Sequence, residues 1–175
     1  MKLYFSVSMI IAVFTSCGNS PTQTSQLKRD RSAPVFENKQ YPIKPDLEMT
    51  PGDLCDTPDE RRYPERINYC DRDVDVELKA EIFATYDKTF DFHTREMNRQ
   101  DFKIDHLVPL CLGGSNKQDN LWPQHKNVYN LTDPLEPFLC NKLSMGQIKQ
   151  AEAVKIIIEV KQNPNSTDSR MEQLD

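Results

Sequence analysis

Apolar positions are unevenly spread along the chain, and their spacing divides it into four regions. Behind Lys2, the first sixteen residues run almost unbroken through Leu3, Tyr4, Phe5, Val7, Met9, Ile10, Ile11, Ala12, Val13 and Phe14. From residue 18 to about 50 apolar side chains are sparse among Ser, Thr, Gln, Pro and Lys. Between 51 and 162 they become periodic. Val76, Leu78, Ile82, Phe83 and Tyr86 fall mostly on one helical face, and Asp73 or Asp75 can serve as N-cap, so a helix is predicted over 75–87. Phe102 to Leu112 alternates and then runs apolar as far as Gly113-Gly114, and the pattern resumes at Asn120-Leu121-Trp122. That spacing predicts two short strands joined by a loop. Asp133-Pro134-Leu135-Glu136 offers a capping residue, Pro at the first helical position and Glu three residues after the cap. It opens a helix that should stop at Gly146. Ile148 to Val160 is predicted as the last helix. From Asn163 the chain is polar again. Helix, hairpin and then helices make an α+β domain.

The polar stretches cannot bury enough surface to offset ordering entropy. The expected organisation is therefore an export signal over 1–16, a flexible tether over 17–50, a folded domain over 51–162 and a disordered tail over 163–175. The apolar run is too short for a transmembrane helix, which needs about 20 residues. A single such segment also cannot build a multi-span membrane protein. Phe14-Thr15-Ser16-Cys17-Gly18 resembles the lipobox of bacterial lipoproteins, with Phe14 where Leu is usual. The resemblance implies that Cys17 is lipidated and anchors the chain to the bacterial envelope. Gly18 after it resembles the outer-membrane sorting pattern. If the lipobox is not used, plain secretion is the alternative.

Setting Cys17 aside, four of the 5 cysteines remain, namely Cys55, Cys70, Cys111 and Cys140. An even number in a small exported domain points to two disulfides out of three possible pairings. Spacing favours Cys55–Cys70 and Cys111–Cys140. A four-cysteine zinc site is disfavoured by the lack of any Cys-x-x-Cys hook. Charge narrows the partners. The chain carries 22 Lys plus Arg against 27 Asp plus Glu, a net charge of -5. Binding a polyanion by bulk electrostatics calls for the opposite sign. A nucleic-acid substrate must therefore be engaged locally, through a metal and basic side chains such as Arg95, Arg99, Lys103, Lys117 and Lys126.

The segment Lys103 to Asn127, KIDHLVPLCLGGSNKQDNLWPQHKN, carries the candidate chemistry. Asp105 and His106 end the first strand, Pro109 breaks it, Gly113-Gly114-Ser115 turns, Asn120 opens the return strand and His125 follows it. In this order the segment resembles the core of the HNH endonucleases, the ββα-metal nuclease fold. Cys55 to Val74, with Thr132 to Glu136 and Cys140, resembles a subgroup of exported bacterial HNH proteins. The resemblance implies a small ββα-metal hairpin core with flanking helices.

It also implies roles for these residues. His106 would be the general base, Asp105 a metal ligand, and Asn120 the residue that pins the imidazole across the hairpin. His125 would be the second ligand. It lies closer to Asn120 than in many members of the family, so Asn127 and Asn130 compete with it. Phosphodiester hydrolysis needs a base to deprotonate water and positive charge on the transition state. A divalent ion supplies that charge, and this ligand set suits Mg²⁺ or Zn²⁺. Neighbouring strand residues point to opposite faces, so Asp105 and His106 can act together only where the strand twists or ends.

The leading expectation is thus a metal-dependent endonuclease acting on DNA or RNA outside the cytoplasm, monomeric, with little sequence specificity. A metal-dependent phosphodiesterase of small nucleotides would use the same site. An expectation of another class is a non-catalytic envelope lipoprotein that keeps the fold as a binding or interaction module. Whether Asp105 binds a divalent ion separates the classes.

Overall fold

The computed structural model describes residues 40–175, and these lie within one compact unit. The export signal, Cys17 and the tether up to residue 39 lie outside the described residues. The architecture is α+β, with two small antiparallel two-stranded sheets among helices. The first hairpin pairs β1 (Glu60–Arg62) with β2 (Ile67–Tyr69). It was not expected, because its strands are three residues long and Ile67 is their one buried apolar side chain. Its turn places both Tyr63 and Arg66 in the left-handed backbone region.

Helix α1 (Val76–Phe90) starts where its cap directs, with the Asp75 carboxylate accepting from Leu78 N–H at 2.6 Å. It ends at Asp91 in a left-handed conformation. Its buried stripe of Ile82, Phe83 and Tyr86 packs on the second hairpin, β3 (Phe102–His106) with β4 (Leu121–His125). Four helices follow: α2 (Lys126–Thr132), α3 (Leu135–Ser144), α4 (Gln150–Gln162) and α5 (Thr167–Leu174). Helix α3 is close to its expected bounds and Gly146 follows it with φ 69°. Asp133 does not cap it, because α2 occupies the preceding residues and Asp133 closes that helix instead.

Two apolar clusters share the interior. One joins α1 to the β3–β4 hairpin around Phe83, Tyr86, Phe102 and Trp122. The other joins α3 and α4 around Leu135, Leu139, Ile156 and Ile157. The expected disulfide pairing is present. Cys55–Cys70 closes the first hairpin and Cys111–Cys140 ties the loop after β3 to α3, each with Cα atoms 5.8 Å apart.

Two expected boundaries need correction. The tail over 163–175 is helical, because Met171 and Leu174 of α5 reach the α3–α4 cluster in spite of the polar composition. The domain also begins before residue 51. Tyr41 is buried against the hairpin, and Thr50 Oγ1 lies 2.8 Å from the Tyr86 hydroxyl.

Candidate functional site

Strand alternation decides how the candidate residues are displayed. Phe102 is opposite His125, Ile104 opposite Pro123, Asp105 opposite Trp122 and His106 opposite Leu121. Opposed residues share a face. His106, Leu121, Pro123 and His125 therefore belong to one face, and Lys103, Asp105, Trp122 and Gln124 to the other. Asp105 and His106 diverge.

The loop after β3 is held by Asn120. Its amide oxygen accepts from Val108 N–H at 2.8 Å, and its amide nitrogen donates to the carbonyls of Val108 and Ser115, both at 2.9 Å. Asn120 thus fixes the backbone of the loop. It does not pin the imidazole, the role expected of it, because its hydrogen-bonding capacity is spent on that backbone. The second glycine of the turn is required by the same packing. A Cβ on Gly114 would stand 1.8 Å from the Val108 carbonyl oxygen.

The His106 ring is held instead by two residues that the sequence did not single out. Arg72 Nη1 lies 3.3 Å from Nδ1, and Asn116 Oδ1 lies 3.0 Å from Nε2. A guanidinium only donates, so Nδ1 is the acceptor and Nε2 carries the proton, which it gives to Asn116. Arg72 also donates to the Ile104 carbonyl, and Asn116 to the Asp71 carbonyl. Burial pushes the His106 pKa down to about 4, against the opposing pull of the Asn116 contact. The imidazole is neutral at physiological pH. Asn116 also lines a polar cavity of about 560 Å³ with Ser115, Lys117 and the carboxylates Asp56, Asp59, Asp71 and Asp73.

On the other face Asp105 is enclosed by cations. Its Oδ2 accepts from Lys161 Nζ at 2.7 Å and its Oδ1 lies 3.2 Å from Lys103 Nζ. Burial alone would raise this carboxyl, but the two ammonium groups prevail and hold it below the usual range. Lys161, fully buried, also donates to the His106 carbonyl and to Glu136, each at 2.6 Å. Lys103 in turn grips Asp133 at 2.7 and 2.9 Å. Glu136 shares the one ammonium with Asp105. Burial raises its carboxyl, and the charge of Asp105 adds to the rise.

His125 is separated from all of this. It stacks under Tyr41 with ring centres 3.9 Å apart, and its Nδ1 accepts from Asn127 N–H at the start of α2. Burial lowers its pKa too. The Asn127 side chain donates to the Tyr41 hydroxyl, and Asn130 is exposed on α2.

The pair Asp105 and His125 therefore does not fit a divalent ion. The carboxylate is compensated by lysines on one face and the imidazole caps a helix on the other. The buried polar atoms left without a hydrogen-bond partner near Asp105, Trp122 Nε1 and Gln124 Oε1, are a donor and a neutral oxygen. Among the described residues no group of three or more His, Cys, Asp or Glu side chains converges to hold a metal.

Most of the basic side chains expected to meet phosphate are similarly engaged. Arg95 pairs with Asp87, Lys117 with Asp53 and Asp56, and Lys126 with Asp101. Arg99 lies over the Phe83 ring. Lys161 was legible in principle, since Ala153, Ile157 and Lys161 recur at four-residue intervals on the buried side of α4. Arg72 had no such signal. No family model, curated protein or solved structure matches the chain.

Proposed function

We propose that the protein is an exported HNH-type nuclease that hydrolyses phosphodiester bonds of DNA or RNA, with His106 as general base and Arg72 as the cation for the substrate phosphate. The observation that carries the reading is the neutral His106 ring at the end of β3, with its basic Nδ1 turned to a guanidinium. In the resting site Arg72 covers that nitrogen. A phosphate binds guanidinium more strongly than a neutral imidazole does, so substrate would draw Arg72 onto its own oxygens and release Nδ1 for water. The water proton passes to Nδ1, the hydroxide attacks phosphorus and the bond to the leaving ester oxygen breaks, while Arg72 offsets the charge gathering on the phosphoryl oxygens. The leaving oxygen takes a proton from solvent, and the imidazolium returns its own to solvent. Asn116, accepting from Nε2–H, keeps the ring in the required tautomer throughout. No step is assigned to a metal, because the expected ligands do not converge. The β3–β4–α2 order supports the HNH-type assignment, and two disulfides support a site of action outside the cytoplasm. Lipid attachment at Cys17 is part of the same proposal.

A second reading is favoured by one feature. Both ring nitrogens of His106 are occupied by protein groups, as they would be in a binding module that has kept the fold without the chemistry. Cleavage separates the two. The oxidised protein is incubated with plasmid DNA and structured RNA, with Mg²⁺, Mn²⁺, Zn²⁺ or EDTA. A nuclease cuts at least one substrate, and His106→Ala slows it by about 10²–10⁴-fold. Folded, oxidised protein that cuts neither substrate under any condition overturns the nuclease reading and favours the module.

A further inference from the structure

We propose that Lys161 is the resident cation of the hairpin, a positioning residue that takes the place of a divalent ion beside Asp105 and holds the strand end on which His106 stands. The ammonium has three protons and three acceptors, Asp105 Oδ2, the His106 carbonyl and Glu136 Oε1, at 2.7, 2.6 and 2.6 Å. Its side chain has no exposure to solvent. These acceptors come from β3 and α3, whereas the lysine comes from α4, so one side chain joins three elements behind the candidate base. The second Asp105 oxygen faces Lys103, which is itself gripped by Asp133. Two ammonium groups thus meet three carboxylates. A divalent ion at Asp105 would have to lie against both lysines, and among the described residues no group of three or more His, Cys, Asp or Glu side chains converges to hold it. Asp105 belongs to the architecture, and any metal used in cleavage is held by other groups.

The function of Lys161 in setting the base rests on the nuclease reading; its displacement of a metal from Asp105 does not. The experiment therefore has a binding arm and a kinetic arm, both on the full oxidised chain. In the first, Mn²⁺ binding is followed by electron paramagnetic resonance in the parent protein and in Asp105→Asn. The same Mn²⁺ affinity in both is expected. One Mn²⁺ per chain whose affinity drops about tenfold or more in Asp105→Asn would overturn the proposal, since a ligand contributes at least that much.

Thermal unfolding of Lys161→Met, Asp105→Asn and the double variant supplies a second check, read from Tm alone. Lys161→Met should lower Tm more than Asp105→Asn/Lys161→Met does, because the pair removes opposite charges together. Strictly additive losses would overturn the proposal.

In the kinetic arm, at a temperature where circular dichroism shows Lys161→Met folded, kcat should fall about tenfold or more while KM is unchanged. Glu136→Gln, which keeps an acceptor for the lysine, should retain kcat. An unchanged kcat in Lys161→Met would overturn the positioning role. Should the parent protein cut nothing, the nuclease reading fails, and the Mn²⁺ and Tm results still decide whether Lys161 holds the metal's place.

Discussion

The two faces of the β3–β4 hairpin solve opposite problems with residues adjacent in sequence. One face buries His106 uncharged, held by one guanidinium and one amide. The other buries the charged pair Lys161 and Asp105, with Glu136, Lys103 and Asp133 completing the network toward its more exposed edge. On the first face the electrostatic cost is avoided by giving up the proton. On the second it is met by pairing. Neighbours such as Asp105 and His106 can therefore look like one catalytic unit in sequence and belong to two environments in space.

Breaking the paired face should have the largest effect. Lys161→Met leaves two carboxylates without their shared ammonium, and losing one partner of such a buried network costs about 3–5 kcal/mol. Urea unfolding of the oxidised protein measures it. A loss below about 1 kcal/mol would place the pair in the class of exposed ion pairs and remove the contrast between the faces.

The loop that joins the faces comes next. Asn120→Ala strands the Val108 N–H and two carbonyls in a region closed to water, for about 3 kcal/mol. Because Asn120 does not touch the ring, the ring's hydrogen-bond partners should persist in the folded fraction. The His106 imidazole nitrogen chemical shifts would show whether the contacts to Arg72 and Asn116 survive.

Acidification should distinguish the faces by sign. The folded pKa of His106 lies at about 4, below its ordinary value, so above pH 6.5 the ring is neutral in both states and costs nothing. As pH falls toward 4 the unfolded chain takes a proton that the folded chain refuses, and stability is lost, by about 3 kcal/mol at most. His125, also lowered, adds in the same direction. Glu136 acts oppositely, since a raised folded pKa means that protonation on acidification favours the native state. Asp105, held low, withdraws its contribution only when pH falls through its folded pKa, below 3.8. Unfolding free energies from pH 7 to 4 should fall less steeply in His106→Asn than in the parent and more steeply in Glu136→Gln. Equal slopes in all three would refute the assignment.

What was legible in the sequence follows the strength of local signals. Asp75, Gly113-Gly114 and Gly146 each meet a backbone need that few residues satisfy, and the elements they bound stand close to where they were expected. Disulfide pairing was readable because each bridge joins the nearer cysteine. Composition misled at both ends of the domain. A polar stretch can still fold when two side chains find a groove, as Met171 and Leu174 do. The candidate site was half legible. His106 was found by its neighbours in the motif, and the alternation rule already warned that Asp105 points away from it. Arg72 and Lys161 reach the hairpin from 34 and 56 residues away, and no local pattern reports such distances.

The smallest effect, that of Tyr41→Phe, tests the edge of the uncharged face against a larger truncation at the same position. Tyr41 comes from the stretch read as tether, and it covers His125 by stacking while its hydroxyl accepts from the Asn127 amide. Tyr41→Phe keeps the ring and removes only that partly exposed hydrogen bond, so it should cost no more than about 1 kcal/mol. Tyr41→Ala removes the cover as well, and truncation of a buried aromatic costs about 3–5 kcal/mol. If the stretch before residue 51 is part of the domain, the two substitutions differ by several degrees in Tm. If it is a tether that only rests on the surface, neither changes Tm, and the uncharged face then ends at the hairpin itself.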